Sequence, residues 1–308
     1  MKFITDWIGD AVDSTLIGIK ESMCAWYAQM YQDTLENFQI GKVIADIFTG
    51  GSSYKEIEDA LVNYITGDIT NVMASIALAL AVLFFVISLL DLAMTDRFTL
   101  EYFIKFFSKF AASVILIVSC SEITKLISDF ASTFCELIGA SLLDSKGIDA
   151  IQGVGQKIYT ALVADENLQW MFLVVSGTLN AGVMKVIAWA LVVIVYLVGF
   201  TRLFEMIVRG AFMPIAFALL ADDGWRGAGG RYIRKYMAIC CQSTVLCIIG
   251  GIHSQALKIV MENQLDRIQD SAVSGSQSGE MIMLLGLSFA AVSLMFKSIG
   301  IINDAFGA

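Results

Sequence analysis

Charge, proline and histidine are scarce in this chain of 308 residues. Only 16% of the positions are Asp, Glu, Lys or Arg, against about 25% in soluble domains. The single proline, Pro214, and the single histidine, His253, can each serve only one place in the fold. Six cysteines (Cys24, Cys120, Cys135, Cys240, Cys241, Cys247) contain no CxxC pair and no histidine at ligand spacing, so no zinc or redox site is expected and they read as small apolar residues. GxxxxGK[ST], HExxH and GxSxG are all missing, as are carboxylates at catalytic spacing. Nothing in the sequence therefore supports catalysis, and no cofactor site is expected. The opening residues lack a long apolar run and a small-residue cleavage site, so no signal peptide is evident and targeting falls to the first span.

Apolar residues are abundant. They make up 57% of the chain, with a mean hydropathy of +0.73, which indicates an all-α polytopic membrane protein. From Phe3 to Met30 they recur at helical spacing through Trp7, Leu16, Ile19, Met23 and Trp26, with Asp6, Asp10 and Asp13 opposite. This is an amphipathic helix too often interrupted to span, and it lies on a membrane surface, on a partner helix or on the rest of its own domain. Residues 1–70 form an N-terminal amphipathic region with four lysines, no arginine and eleven carboxylates. The membrane domain, 71–308, holds five expected spans at about 72–92, 104–120, 182–204, 237–260 and 281–302. Small residues four apart offer close-packing faces at Ala77 and Ala81, Gly250 and Ser254, and Gly286 and Ala290. An interfacial turn anchored by Trp170 is expected ahead of the third span, and the apolar run after Pro214 is too short to cross, which suggests a re-entrant half-helix.

Lysine and arginine orient these spans. Arg97, Lys105 and Lys109 follow span one, a basic loop of Arg226, Arg231, Arg234 and Lys235 follows span three, and the remaining connections are acidic on balance. The bias places the N-terminus and the 121–169 loop outside and the C-terminus inside. The net charge of −9 argues against nucleic acid as a direct ligand of a soluble chain but leaves it open as cargo.

The densest chemistry lies between Tyr196 and Tyr236. Arg202, Glu205 and Arg209 fall at i, i+3 and i+7, so Glu205 is expected to serve both arginines from one face, either as a structural ion network or with one arginine turned to a pore or neighbouring subunit. On that reading Glu205→Ala does more harm than Arg202→Ala. Gly210 and Pro214 are expected to break the helix beyond this cluster. Gly227, Gly229 and Gly230 beside Arg226 and Arg231 form a glycine-rich loop in the wrong context for nucleotide, and contact with anionic lipid or a partner ATPase fits better. His253, inside a span with no carboxylate nearby in sequence, reads as a packing residue rather than a proton relay.

The stretch R-L-F-E-M-I-V-R-G-A-F-M-P-I-A (Arg202 to Ala216), followed by W-R-G-A-G-G-R-Y-I-R-K-Y, resembles the TrbL-like polytopic inner-membrane subunits of type IV secretion and conjugation systems. The amphipathic region ahead of span one and the long connection between spans two and three add to the resemblance. It implies a non-enzymatic channel or scaffold subunit in a bacterial cytoplasmic membrane. Such a subunit would assemble as a homo-oligomer in the lipid bilayer beside other secretion components, including a cytoplasmic ATPase, with DNA present only as transported substrate. The competing expectation is a self-contained solute permease.

Overall fold

The computed structural model describes residues 2–48, 53–94, 100–142, 153–164, 169–270 and 277–307, and among them there is no strand. The helices are α1 (Lys2–Asn37), α2 (Ile40–Phe48), α3 (Ser53–Tyr64), α4 (Thr70–Met94), α5 (Leu100–Val118), α6 (Cys120–Leu142), α7 (Val154–Ala164), α8 (Gln169–Ala211), α9 (Met213–Asp223), α10 (Ala228–Cys240), α11 (Gln242–Asp270) and α12 (Gln277–Phe306). An apolar chain in lipid must satisfy its backbone polar groups within each segment, and helices do this. Among the described residues, four helical stretches are long and apolar enough to cross a membrane: Tyr54–Met94, Val174–Ala211, Ala228–Glu262 and Ile282–Phe306. A fifth candidate is the bent pair Leu100–Val118 and Cys120–Gly139, which meets at 66°. The protein is an all-α polytopic membrane protein.

The chain packs as two compact units. One comprises residues 1–43, 143–195 and 249–293, the other 44–142, 196–248 and 294–308.

In the first unit α1 packs against α7 and α8. Its buried face is Cys24, Tyr27, Ala28, Tyr31 and Leu35, whereas Leu16, Ile19 and Trp26 of the expected apolar face stay more than 45% exposed. Where the sequence suggests a turn before residue 182, α8 is instead continuous from Gln169, and the Trp170 side chain lies outside the described residues. The small and polar positions that suggest the turn are contacts with α1. A Cβ at Gly177 would overlap the Tyr27 ring, Gly182 faces Met30, Lys185 Nζ lies 3.2 Å from Asp33 Oδ2, and Thr34 Oγ1 donates to the Ala181 carbonyl at 3.4 Å. The Gly250 and Ser254 face receives Gly41 of α2, where a Cβ would overlap both residues. Gly286 and Ala290, by contrast, are exposed, and a Cβ at Gly286 would meet nothing, so that expected packing face is open among the described residues. His253 is buried with Nε2 3.2 Å from Ser288 Oγ, which joins α11 to α12.

In the second unit α3 joins α4 through a π-helical segment, Ile65–Ile69. Such a wide turn frees carbonyls from the α pattern. Thr70 Oγ1 donates to the Ile65 carbonyl and Ser121 Oγ to the Thr66 carbonyl, both at 2.8 Å, so these two carbonyls have partners within the protein. Ala77 and Ala81 of α4 are fully buried, and α9 packs against both α4 and α5.

Candidate functional site

Arg202 is the most deeply buried cation among the described residues of the second unit, with 4% of its surface exposed. Its partner is not Glu205. Helical side chains lean toward the N-terminus of their own helix, so Arg209 reaches back to Glu205, with Nη2 to Oε1 at 2.6 Å, while Arg202 leans away from it. At the level Arg202 reaches, α3 supplies Glu58, whose Oε1 lies 3.6 Å from Arg202 Nη1. Arg202 Nη2 donates to the Cys240 carbonyl at 3.1 Å, and the guanidinium carbon stands 5.4 Å from the centre of the Phe48 ring. Tyr54 fixes α3 beside α8 by donating its hydroxyl to the Gly199 carbonyl at 2.9 Å. Arg202 Nε and Nη1 have no hydrogen-bond partner among the described residues. The expected three-residue network is thus two pairs: an Arg202–Glu58 pair between helices, its arginine buried and its carboxylate 17% exposed, and a half-exposed Glu205–Arg209 pair within one helix.

Glu58 also lines a polar cavity of about 280 Å³ together with Lys55, Asp59, Asn63, Lys125 and Asp129. Lys55 is ion-paired to Glu136. Both carboxylates and ammonium groups line this cavity, so it presents no single-sign surface to a ligand. Among the described residues no three His, Cys, Asp or Glu side chains gather in a way that could hold a metal ion.

The helix break falls two residues beyond Gly210. Gly210 belongs to the last turn of α8, and a Cβ there would meet Thr124 and Tyr236 at ordinary contact distance, so space alone does not require the glycine. Phe212 leaves the helical region with φ −89° and ψ 1°, and Pro214 lies in the first turn of α9, where its missing N–H has no helical partner to lose. Tyr232 Oη donates to the Arg209 carbonyl at 3.0 Å, satisfying one acceptor freed where α8 ends. Helix α9, at eleven residues, extends only ~16 Å by helical rise. Met213, Ala216, Phe217 and Ala218 are buried, and Ser113 Oγ on α5 donates to the Phe217 carbonyl at 2.5 Å.

The expected basic loop is instead a short 3-10 turn, Gly224–Arg226, running into α10, so Arg231, Arg234 and Lys235 are helical, and two of its glycines serve packing. A Cβ at Gly229 would overlap the Ala216 carbonyl of α9, and one at Gly230 would overlap the carbonyl of Trp225. Arg226, Arg231 and Lys235 are exposed, Arg234 is half-buried, and none of the four has an ion-pair partner among the described residues. Trp225, beside them, is 55% exposed.

Sequence reasoning misses Glu58, Tyr54 and Phe48, which lie more than 140 residues from Arg202 in the chain; their only local sign is the i, i+4 spacing of Tyr54 and Glu58 on α3. It also misses a contact between two buried thiols, Cys135 and Cys247. Fold and site together define a polytopic helical membrane protein with a charge pair buried between its helices. Compared with protein-family models, characterised proteins and solved structures, the chain matches none.

Proposed function

We propose that this chain is a channel or scaffold subunit of a type IV secretion or conjugation apparatus, working in a bacterial cytoplasmic membrane without enzymatic activity of its own. The observation that carries the reading is the broken membrane segment from Arg202 to Lys235. Its arginine is neutralised from another helix, its helix stops at Ala211 just before Pro214, and its short buried α9 leads into cations with no ion-pair partner among the described residues. Irregular backbone at membrane depth is tolerated only where protein or a water-filled cavity surrounds it. On this reading Arg226, Arg231, Arg234 and Lys235 face the cytoplasm, where anionic headgroups and a partner ATPase meet them. Homo-oligomers of the chain then surround the path of a DNA or protein substrate.

The test is transfer of a mobilisable plasmid from donor cells lacking the gene, complemented with wild type or with Arg226→Glu/Arg231→Glu/Lys235→Glu. The expected result is loss of transfer in the deletion, restoration by wild type, and failure of the charge-reversed variant at normal membrane abundance. Undiminished transfer in the deletion overturns the reading. The polar cavity at Glu58 favours a second reading, a solute permease; a small-solute uptake defect in the same deletion, with transfer intact, would establish it.

A further inference from the structure

Cys135 of α6 and Cys247 of α11 lie 112 residues apart in sequence, and their sulfurs are 2.9 Å apart in the second unit. Both are buried, at 1% and 0% exposure. Non-bonded carbons keep about 3.5–4.0 Å between centres, so this is closer than ordinary packing requires. It is also too close for a shared metal: with Zn–S bonds of about 2.3 Å, tetrahedral ligands hold their sulfurs farther apart than this. What the separation suits is a disulfide, which closes at about 2.05 Å.

The geometry points to Cys135 and Cys247 as an intramolecular disulfide site that covalently ties α6 to α11. Closure is thiol–disulfide exchange with a disulfide oxidant. One cysteine thiolate attacks R–S–S–R and expels R–S⁻; the second cysteine then attacks the mixed disulfide and expels another R–S⁻. The pair loses two electrons and two protons, and the oxidant leaves as two R–SH molecules. Because both sulfurs are shielded once the helices have closed over them, exchange belongs to the period of membrane insertion or to local opening of α6 from α11. The other described cysteines have no comparable contact: Cys120 meets the Thr124 hydroxyl at 3.8 Å, and no other sulfur pair is in contact among the described residues. The inference is independent of the transport reading.

The experiment uses the full chain in membranes. Cells synthesising it are exposed to diamide, which takes up two hydrogens from a thiol pair, or left untreated. Remaining thiols are blocked with N-ethylmaleimide before extraction and denaturation, and the protein is run on gels with and without reductant and mapped by peptide mass spectrometry. The expected result after diamide is a cross-linked peptide joining Cys135 to Cys247, lighter by two hydrogens than its parts. A faster band reversed by reductant should accompany it, absent in Cys135→Ser and Cys247→Ser and kept in Cys241→Ser. Should the serine variants fail to accumulate, the wild-type peptide map decides alone. Alkylation of both Cys135 and Cys247 after diamide, or a link from either to a different cysteine, overturns the proposal.

Discussion

Arg202 and Arg209 stand seven residues apart on one helix, each beside a carboxylate, yet they occupy opposite situations. Arg202 is sealed between α3, α8 and α10, and its carboxylate comes from a distant part of the chain. The side chains of Arg209 and Glu205 are 30% and 37% exposed, and both belong to the same turn of α8. A pair within one helix asks nothing of the tertiary fold, whereas a pair between helices forms only when both are in place. The difference teaches that Arg202 reports on assembly of the second unit and Arg209 on the end of its own helix. This reverses the order of harm that sequence spacing suggests, in which Glu205 is the shared anion.

The largest expected effect is at Arg202. Arg202→Ala takes from Glu58 its ion-pair partner, leaving Lys55 and Lys125 across the cavity as the nearest cations, and removes the bond to the Cys240 carbonyl and the contact with Phe48. Breaking a fully buried pair by removing one partner costs about 3–5 kcal/mol, and the part-exposed carboxylate puts this pair toward the lower end. The protein should accumulate poorly in membranes and unfold at clearly lower temperature in detergent. Arg202→Met combined with Glu58→Leu should recover much of that loss, because an apolar pair leaves no uncompensated charge. Equal loss in the single and double variants would show that the charge itself, rather than its pairing, is needed.

Most of the fold was legible because lipid solubility leaves a strong imprint on sequence. Runs such as those around Val72 to Leu92 and Met281 to Ile302 lie within helices that extend a few residues further. Contacts were legible only where small residues or turn chemistry mark them, as at Gly250 and Pro214. Elsewhere the same marks misled. Gly182 and Lys185 resemble punctuation in one dimension but are places where α1 lies against α8. Gly286 carries the same signature as Gly250 and touches nothing described. The partner of Arg202 was illegible because helical geometry restricts only neighbours up to about four residues away, and Glu58 arrives from another helix.

A smaller effect sharpens the comparison at the α3–α8 contact. Tyr54→Phe removes the hydroxyl that donates to the Gly199 carbonyl while keeping the ring beside Phe48 and Phe200. The net worth of such a bond is about 1 kcal/mol. The variant should therefore insert and accumulate normally, with a modest fall in melting temperature in detergent. If Tyr54→Phe proved as damaging as Arg202→Ala, the hydroxyl rather than the ion pair would be what holds α3 against α8.

The smallest expected effect is at Glu205. Glu205→Ala releases Arg209, but Arg209 is 30% exposed, its side chain is long enough to reach water or headgroups at the helix end, and no other described carboxylate depends on it. Exposed pairs at i, i+4 contribute about 0.3–0.5 kcal/mol, and screening by salt reduces even that. Arg202 keeps Glu58 throughout, since the two pairs share no atom. Membrane abundance of Glu205→Ala should therefore match wild type, its melting temperature should shift little, and that shift should shrink further at high ionic strength. A double-mutant cycle of Glu205→Ala with Arg202→Ala should be additive. A coupling above about 0.5 kcal/mol, the limit for independent sites, would mean that Glu205 also serves Arg202. The two arginines would then form the single network their spacing suggests.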